Sequence, residues 1–107
     1  LDPKRGLTAI VAGSDMLALG CYDAMNELDI RCPNDVSVIG FNDILFCSKF
    51  SPPMTSVHVD KFLMGMEAAR LILRVVKGDM VSGVSLVMRP RLVVRQSTST
   101  PGIRVPA

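Results

Sequence analysis

Residues 7–15 read LTAIVAGSD, and this stretch decides the fold. Its first six residues form an unbroken apolar run rich in β-branched side chains, which is typical of a strand covered on both faces. Gly13 interrupts the run, and Ser14 or Asp15 can then cap a helix by accepting hydrogen bonds from its free N–H groups. We therefore expect a buried strand that leads directly into a helix.

This helix is predicted over residues 15–28. Its apolar face is expected to consist of Leu17, Cys21, Ala24 and Leu28, which recur at helical spacing. A turn around Pro33 follows, and the run VSVIGF at residues 36–41 predicts a second buried strand. Strand, helix and strand follow one another within about 35 residues, so we expect a right-handed βαβ unit with a parallel sheet.

The remainder of the chain is predicted to contain shorter elements and one long helix. We expect a short helix over 43–47, extended segments over 55–59, 85–88 and 91–94, and a long helix over 61–77. Asp60 is predicted to cap the long helix, and Gly78 is predicted to close it. The apolar stripe of that helix should comprise Phe62, Met66, Ala69, Leu73 and Val76.

Composition limits the class of protein. A chain of 107 residues can form one small domain with its own core. The net charge of +2 is small and the basic residues are scattered, which argues against a nucleic-acid-binding surface. The apolar runs are too short to span a membrane. Cys21, Cys32 and Cys47 form no C-x-x-C pair, which favours reduced thiols in a cytosolic protein over a zinc or disulfide site.

Polar residues follow both predicted strands of the βαβ unit. In an open parallel sheet, ligands bind beyond the carboxyl ends of the strands. Ser14 and Asp15 after the first strand, and Asn42 and Asp43 after the second, would place hydroxyl, amide and carboxylate groups at one edge. Such groups suit a polyhydroxylated ligand. The alternative, which the residues alone leave open, is that Ser14, Asp15 and Asp43 only cap helices.

An enzymatic function is not supported by the sequence. Ser14 lies between a strand and a helix, as in a nucleophile elbow, but the G-x-S-x-G glycines are absent. His58 is the only possible base, and its apolar neighbours Val57 and Val59 favour a structural role. There is no phosphate-binding loop and no metal-ligand spacing. We therefore predict no catalytic residue, no metal and no cofactor.

Five stretches together resemble the LacI/GalR family of transcription regulators. They are TAIVAGSDMLALG (8–20), PNDVSVIGFND (33–43), PMTSV (53–57), the helix positions Gly65, Ala68, Ala69 and Leu73, and RLVVRQST (91–98). They occur in the family's order and at its intervals over about residues 7–98. The resemblance implies an α/β fold, namely the C-terminal fragment of a parallel-sheet, periplasmic-binding-protein-like (type I) effector domain. In the family, three crossovers hinge two such subdomains behind an N-terminal helix-turn-helix.

The resemblance also implies a division of the chain. Residues 1–59 would be the βαβ portion of the C-terminal effector subdomain, and 60–90 a crossover and helix of the N-terminal effector subdomain. Residues 91–98 would be the return strand, and 99–107 a flexible tail. The effector-binding residues implied by the family motifs are Ser14, Asp15, Phe41 and Asn42. The implied dimer-interface residues are Leu19, Lys49 and Phe50.

Asn42 departs from the family pattern, which has Asp at this position. An amide donates as well as accepts hydrogen bonds, whereas a carboxylate only accepts them. The bonds of a carboxylate to sugar hydroxyls are charge-assisted and roughly twice as strong as neutral ones. The substitution therefore puts the identity of the effector in doubt and makes a sugar acid more plausible.

The resemblance implies a cytoplasmic, ligand-responsive transcription regulator that acts as a repressor. This chain would supply a fragment of its sugar- or sugar-acid-binding and dimerisation domain, with homodimer contacts and no membrane association. The chain begins with Leu1 rather than Met, so we expect a piece of a longer protein that contacts operator DNA through a helix-turn-helix. The alternative is a periplasmic sugar-binding protein of an uptake system. The sequence preceding Leu1 would separate the two.

Overall fold

The computed structural model describes residues 6–79 and 83–101 of a chain that divides into two compact units. The sheet unit is formed by the described residues of 1–58 and 91–107. The helix unit is formed by the described residues of 59–90. Across the described residues, none of the helices has the length and apolar character needed to cross a membrane.

The sheet unit contains four strands, one α-helix and one 3₁₀ helix. In chain order these are β1 (Ala9–Val11), α1 (Asp15–Glu27), β2 (Ser37–Asn42), the 3₁₀ helix (Leu45–Lys49), β3 (Thr55–His58) and β4 (Arg91–Val93). The strands lie in the order β1-β2-β3-β4, with β1, β2 and β3 parallel and β4 antiparallel to β3. The predicted strand–helix–strand unit with a parallel sheet is therefore confirmed, and with it the α/β fold class.

The register of the strands brings their carboxyl ends to one edge. Val11 lies opposite Ile39 in the β1–β2 pair, so the residues after β1 are level with the end of β2. Asn42, the last residue of β2, lies opposite His58, the last residue of β3. We call this side of the sheet, where β1, β2 and β3 end, the carboxyl edge.

Helix α1 packs on β2. The face that it buries is displaced by one residue along the helix from the apolar face that was predicted. Its buried residues are Asp15, Ala18, Tyr22 and Met25, and the last three pack with Val36 and Val38 in the core. Leu17, on the predicted face, is 63% exposed. The prediction was wrong because the leucines dominate the apolar pattern, whereas Asp15 is drawn inward by hydrogen bonds and orients the helix.

Strand β1 was predicted to be covered on both faces, but the described residues of this chain do not cover them. Among the described residues β1 pairs with β2 alone, so it lies at the outside of the sheet order. Val11 is 76% exposed, and Ala9 is exposed as well. An apolar run of this length indicates a strand but does not show which faces are covered.

The helix unit contains α2 (Lys61–Val76). The predicted cap is confirmed, because a carboxylate oxygen of Asp60 accepts the Leu63 N–H at 2.9 Å. Gly78 follows the helix with a left-handed φ of 75°, a conformation that glycine adopts without steric cost. No residue of α2 is buried, and Phe62 is 79% exposed, so the predicted apolar stripe is uncovered. The segment 85–88 forms no strand.

The segment after β4 is attached to the middle of the sheet by Ser97, which is fully buried. Its hydroxyl donates to the Val38 carbonyl at 2.6 Å and accepts the Thr55 N–H at 2.8 Å. Ser99, in the segment predicted as a tail, donates its backbone N–H to the Ser37 hydroxyl at 3.1 Å. The rest of that segment, 102–107, lies outside the described residues.

Replacing Ser97 with Ala should destabilise the fold by about 1–3 kcal/mol, because two buried backbone groups lose a hydrogen-bond partner. Ser99→Ala is the matched control, since Ser99 is exposed, and it should cost about 0.5 kcal/mol or less. Urea unfolding followed by circular dichroism measures both. Equal losses for the two variants would show that Ser97 has no special role.

Candidate functional site

Ser14 lies at the carboxyl edge, three residues after β1. Its hydroxyl oxygen accepts the Leu17 N–H at 3.2 Å and so caps α1. The capping role considered for Ser14 is therefore confirmed. A hydroxyl that accepts in this way still carries its own proton and can donate to another group. Capping and ligand contact are compatible at this position.

Asp15 is turned into the protein rather than toward solvent. It is 1% exposed, and its two carboxylate oxygens accept the Ile44 N–H at 2.8 Å and the Ser56 hydroxyl at 2.5 Å. Gly40 makes this possible, because a Cβ there would lie 2.2 Å from the Asp15 carboxylate. Asp15 thus connects the start of α1 to β3 and to the loop after β2.

The chain turns at the end of β2 through two residues with left-handed backbone conformations. The φ angle is 102° at Asn42 and 52° at Asp43. Such angles are uncommon for residues other than glycine, although Asn and Asp tolerate them best. The Asp43 N–H donates to the Ser56 hydroxyl at 3.0 Å, which helps to hold the turn. The turn leaves Asn42 half-buried at the carboxyl edge, next to Phe41, which is 38% exposed.

Asp43, His58 and Arg95 form a cluster beside this turn, which we call the Asp43 cluster. The carboxylate of Asp43 lies 2.9 Å from His58 Nδ1 and accepts a hydrogen bond from Arg95 Nη2 at 2.7 Å. Arg95 also donates to the Met54 carbonyl at 2.7 Å. Burial raises the pKa of Asp43, but the hydrogen bonds and positive charges of Arg95 and His58 outweigh it and lower the pKa below its usual value.

Asn42, Phe41, Ser14 and Asp15 were predicted from the sequence to lie in the site, whereas Ser56 and Arg95 were not. His58 was predicted to have a structural role, and in the structure its Nδ1 atom contacts the Asp43 carboxylate. A signal was available, because His58 lies between two valines in a short extended segment, and Arg95 directly follows another such segment that ends in valines. A charged or titratable group in such a setting requires a polar partner. The partner itself could not be named without the topology.

The three residues expected at a dimer interface differ in their exposure. Lys49, at the end of the 3₁₀ helix, is exposed, whereas Leu19 is half-buried. Phe50 is also half-buried, and its ring packs edge-to-face against Tyr22 with centroids 6.5 Å apart. Exposed apolar residues from α1 and the 3₁₀ helix belong to the same unit, namely Leu17, Leu45 and Phe46.

The cysteines are all free thiols. Burial raises the pKa of Cys47 to about 11 and also raises the pKa of Cys32. A thiol with a raised pKa stays protonated at neutral pH and is a poor nucleophile. Cys32 and Cys47 therefore serve packing.

A family model described as a periplasmic binding protein-like domain matches residues 2–98. The chain belongs to this family. The HTH-type transcriptional regulator MalR of Streptomyces coelicolor is 42% identical to this chain over 101 residues. These residues are 94% of this chain and 29% of MalR. The chain spans 28–29% of the length of the relatives that it matches.

Solved structures of transcription regulators share the fold. The CelR–cellobiose complex has a TM-score of 0.79 and 37% identity over 84% of this chain and 28% of that one. The dimeric Lac repressor with an 11-residue C-terminal deletion has a TM-score of 0.80 and 33% identity over 89% of this chain and 35% of that one. The resemblance to LacI/GalR regulators expected from the motifs is therefore confirmed.

The substitution Asp43→Asn should destabilise the domain by about 2–3 kcal/mol at pH 7, because Arg95 and His58 lose a charged acceptor. The pKa of Asp43 is lowered in the folded state. Its contribution is therefore complete above the ordinary aspartate pKa of about 3.9 and is lost as the pH falls through the lower folded value.

The difference in unfolding free energy between the wild type and Asp43→Asn should consequently shrink between pH 7 and pH 2.5, as measured by urea unfolding. Asp23→Asn, at an exposed position of α1, is the control and should change stability by less than about 0.5 kcal/mol. A difference that is the same at both pH values would show that the charge of Asp43 contributes nothing.

Proposed function

We propose that the chain is the effector-binding and dimerisation part of a ligand-responsive transcription regulator, which acts as a repressor in the cytoplasm. The observation that carries this proposal is the meeting of the β1 and β2 ends, with Ser14 and Asn42 at one edge of the sheet. Ligands of open parallel sheets bind at this edge. The matched relatives, named as transcriptional regulators, support the same function.

The effector is a sugar or a sugar acid. The Ser14 hydroxyl and the Asn42 amide can donate to and accept from its hydroxyl groups. The partly exposed side chain of Phe41 offers an apolar surface for the C–H groups of a sugar ring. The negative charge of Asp43 is compensated by the guanidinium group of Arg95, which reduces the repulsion between Asp43 and an acidic ligand. Asp15 was predicted to bind the effector, but we propose that it positions the edge instead, because it is 1% exposed and both of its carboxylate oxygens are bonded within the chain.

The rival function is that of a periplasmic sugar-binding protein. Two observations favour the regulator. The relatives that match nearly the whole chain carry the names of regulators, and one structural neighbour is a regulator in complex with cellobiose. In addition, three free cysteines suit a reducing compartment better than an oxidising one.

The mechanism is a population shift. An effector that binds one closure of the two effector subdomains better than the other shifts the equilibrium toward that closure. Residues 1–59 and 91–98 belong to one subdomain and 60–90 to the other, and the division into a sheet unit and a helix unit supports this assignment. Homodimer contacts through α1 and the 3₁₀ helix pass the change to helix-turn-helix domains outside residues 1–107, which bind operator DNA.

Effector binding is tested by calorimetry on the full-length gene product with cellobiose, lactose, sucrose, glucuronate and galacturonate. Asn42→Gly removes the amide and suits the left-handed φ, so it should weaken the best binder about tenfold without loss of stability. Asn34→Gly, at an exposed turn, should bind like the wild type. Failure of every sugar to bind, or unchanged affinity in Asn42→Gly, would contradict the proposal.

Dimerisation is tested by analytical ultracentrifugation of the same protein. Leu19→Glu and Lys49→Glu should shift the dimer toward monomer at micromolar concentration, because each introduces a negative charge into the contact. Lys49 is exposed, so its variant should not disturb the folded monomer. Leu28→Glu, at an exposed position just beyond the other end of α1, is the control and should leave the dimer intact. A dimer unaffected by both interface variants would place the contact elsewhere.

A further inference from the structure

The end of β2 is held in an unfavourable backbone conformation at the position that offers the effector its amide. Two consecutive non-glycine residues, Asn42 and Asp43, have positive φ angles. Such conformations cost free energy and persist only where surrounding contacts fix them. The question is which contacts fix the turn in this chain.

Contacts from several elements converge on Asp43. Ser56 of β3 accepts its backbone N–H, Arg95 binds one carboxylate oxygen, and His58 binds the other. His58 is also the register partner of Asn42 across the β2–β3 pair. The imidazole of His58 therefore lies on β3 beside Asn42, which carries the amide. It also binds Asp43, the next residue along the chain.

We propose that His58 is a positioning residue of the effector site, and that its protonation strengthens effector binding. This inference rests on the proposed function of the carboxyl edge. By holding the second carboxylate oxygen of Asp43, His58 prevents rotation of that side chain and so fixes the turn. A fixed turn presents the Asn42 amide in one orientation, which lowers the entropy lost when a ligand binds.

The sign of the pH dependence follows from the charges around the imidazole. The carboxylate of Asp43, which follows the end of β2, is hydrogen-bonded to the imidazole through one oxygen. Arg95 binds the other oxygen of that carboxylate. Arg91 of β4 is opposite His58 in the sheet, and Asp15 of α1 is connected to β3 through Ser56. A protonated imidazole converts its bond with Asp43 into a charge-assisted one, which is roughly twice as strong. Protonation of the imidazole should therefore favour the fixed turn.

His58 is also the last residue of the sheet unit before the chain enters the helix unit at Val59. A side chain at this point connects the effector edge with the start of a crossover. His58 is the single histidine of the sequence, so no other histidine can take this positioning role.

The test compares the wild type with two variants of the full-length gene product, using calorimetry with the best-binding sugar of the panel. The wild type should bind about threefold more tightly at pH 6 than at pH 8. His58→Gln retains an N–H donor that does not titrate, so its affinity should equal that of the wild type at pH 8 and stay constant with pH. His58→Leu removes the donor and should bind about tenfold more weakly at both pH values.

A second measurement needs no ligand and separates the two proposals. In an NMR titration between pH 8 and pH 5, the amide resonances of Asn42 should move together with the His58 ring in the wild type and remain still in His58→Gln. If no sugar binds while these resonances move, the proposed function fails, and only the effect of His58 on the turn at Asn42 stands. If Asn42 does not respond to His58, or if His58→Leu binds sugar like the wild type, the positioning role is overturned.

Discussion

The structure depends on one buried carboxylate. Asp15 opens α1, is almost inaccessible to solvent, and accepts hydrogen bonds from the loop after β2 and from the β3 residue Ser56. A buried charge of this kind is tolerated only when such donors compensate its lost hydration, and its place at a helix N-terminus adds a favourable dipole interaction. Because Gly40 has no side chain, the carboxylate can cross β2. Three elements are thereby held at the carboxyl edge of the sheet.

The remaining features of the edge follow from this constraint. Ser56, whose hydroxyl donates to Asp15, accepts the backbone N–H of Asp43, and this places the Asp43 carboxylate between His58 and Arg95. The carboxylates of Asp15 and Asp43 stabilise the edge. The groups proposed to contact an effector are the Asn42 amide, the Ser14 hydroxyl and the Phe41 ring. Because Arg95 compensates the charge of Asp43, that carboxylate repels an acidic sugar less than an unpaired one would.

Sequence patterns predicted local features well and long-range ones poorly. The four strands, both α-helices and the Ser14 and Asp60 caps depend on neighbours within a few positions and were predicted, although the extended segment predicted over 85–88 forms no strand. The buried face of α1 was assigned wrongly because leucine spacing outweighed an aspartate whose partners lie far along the chain. Arg95 was missed because its bond to Asp43 spans 52 positions and leaves no periodic trace. The motifs gave the family, whereas the hydrogen bonds behind them required coordinates.

The most direct measurement is a crystal structure of the full-length gene product with its tightest-binding sugar. We expect the sugar ring beside Phe41, with hydroxyl groups within hydrogen-bond distance of the Ser14 hydroxyl and the Asn42 amide. Asp15 should keep its bonds to Ile44 and Ser56 and touch no atom of the ligand. A sugar bound with no contact to Ser14 or Asn42 would contradict the assignment of the carboxyl edge as the effector site.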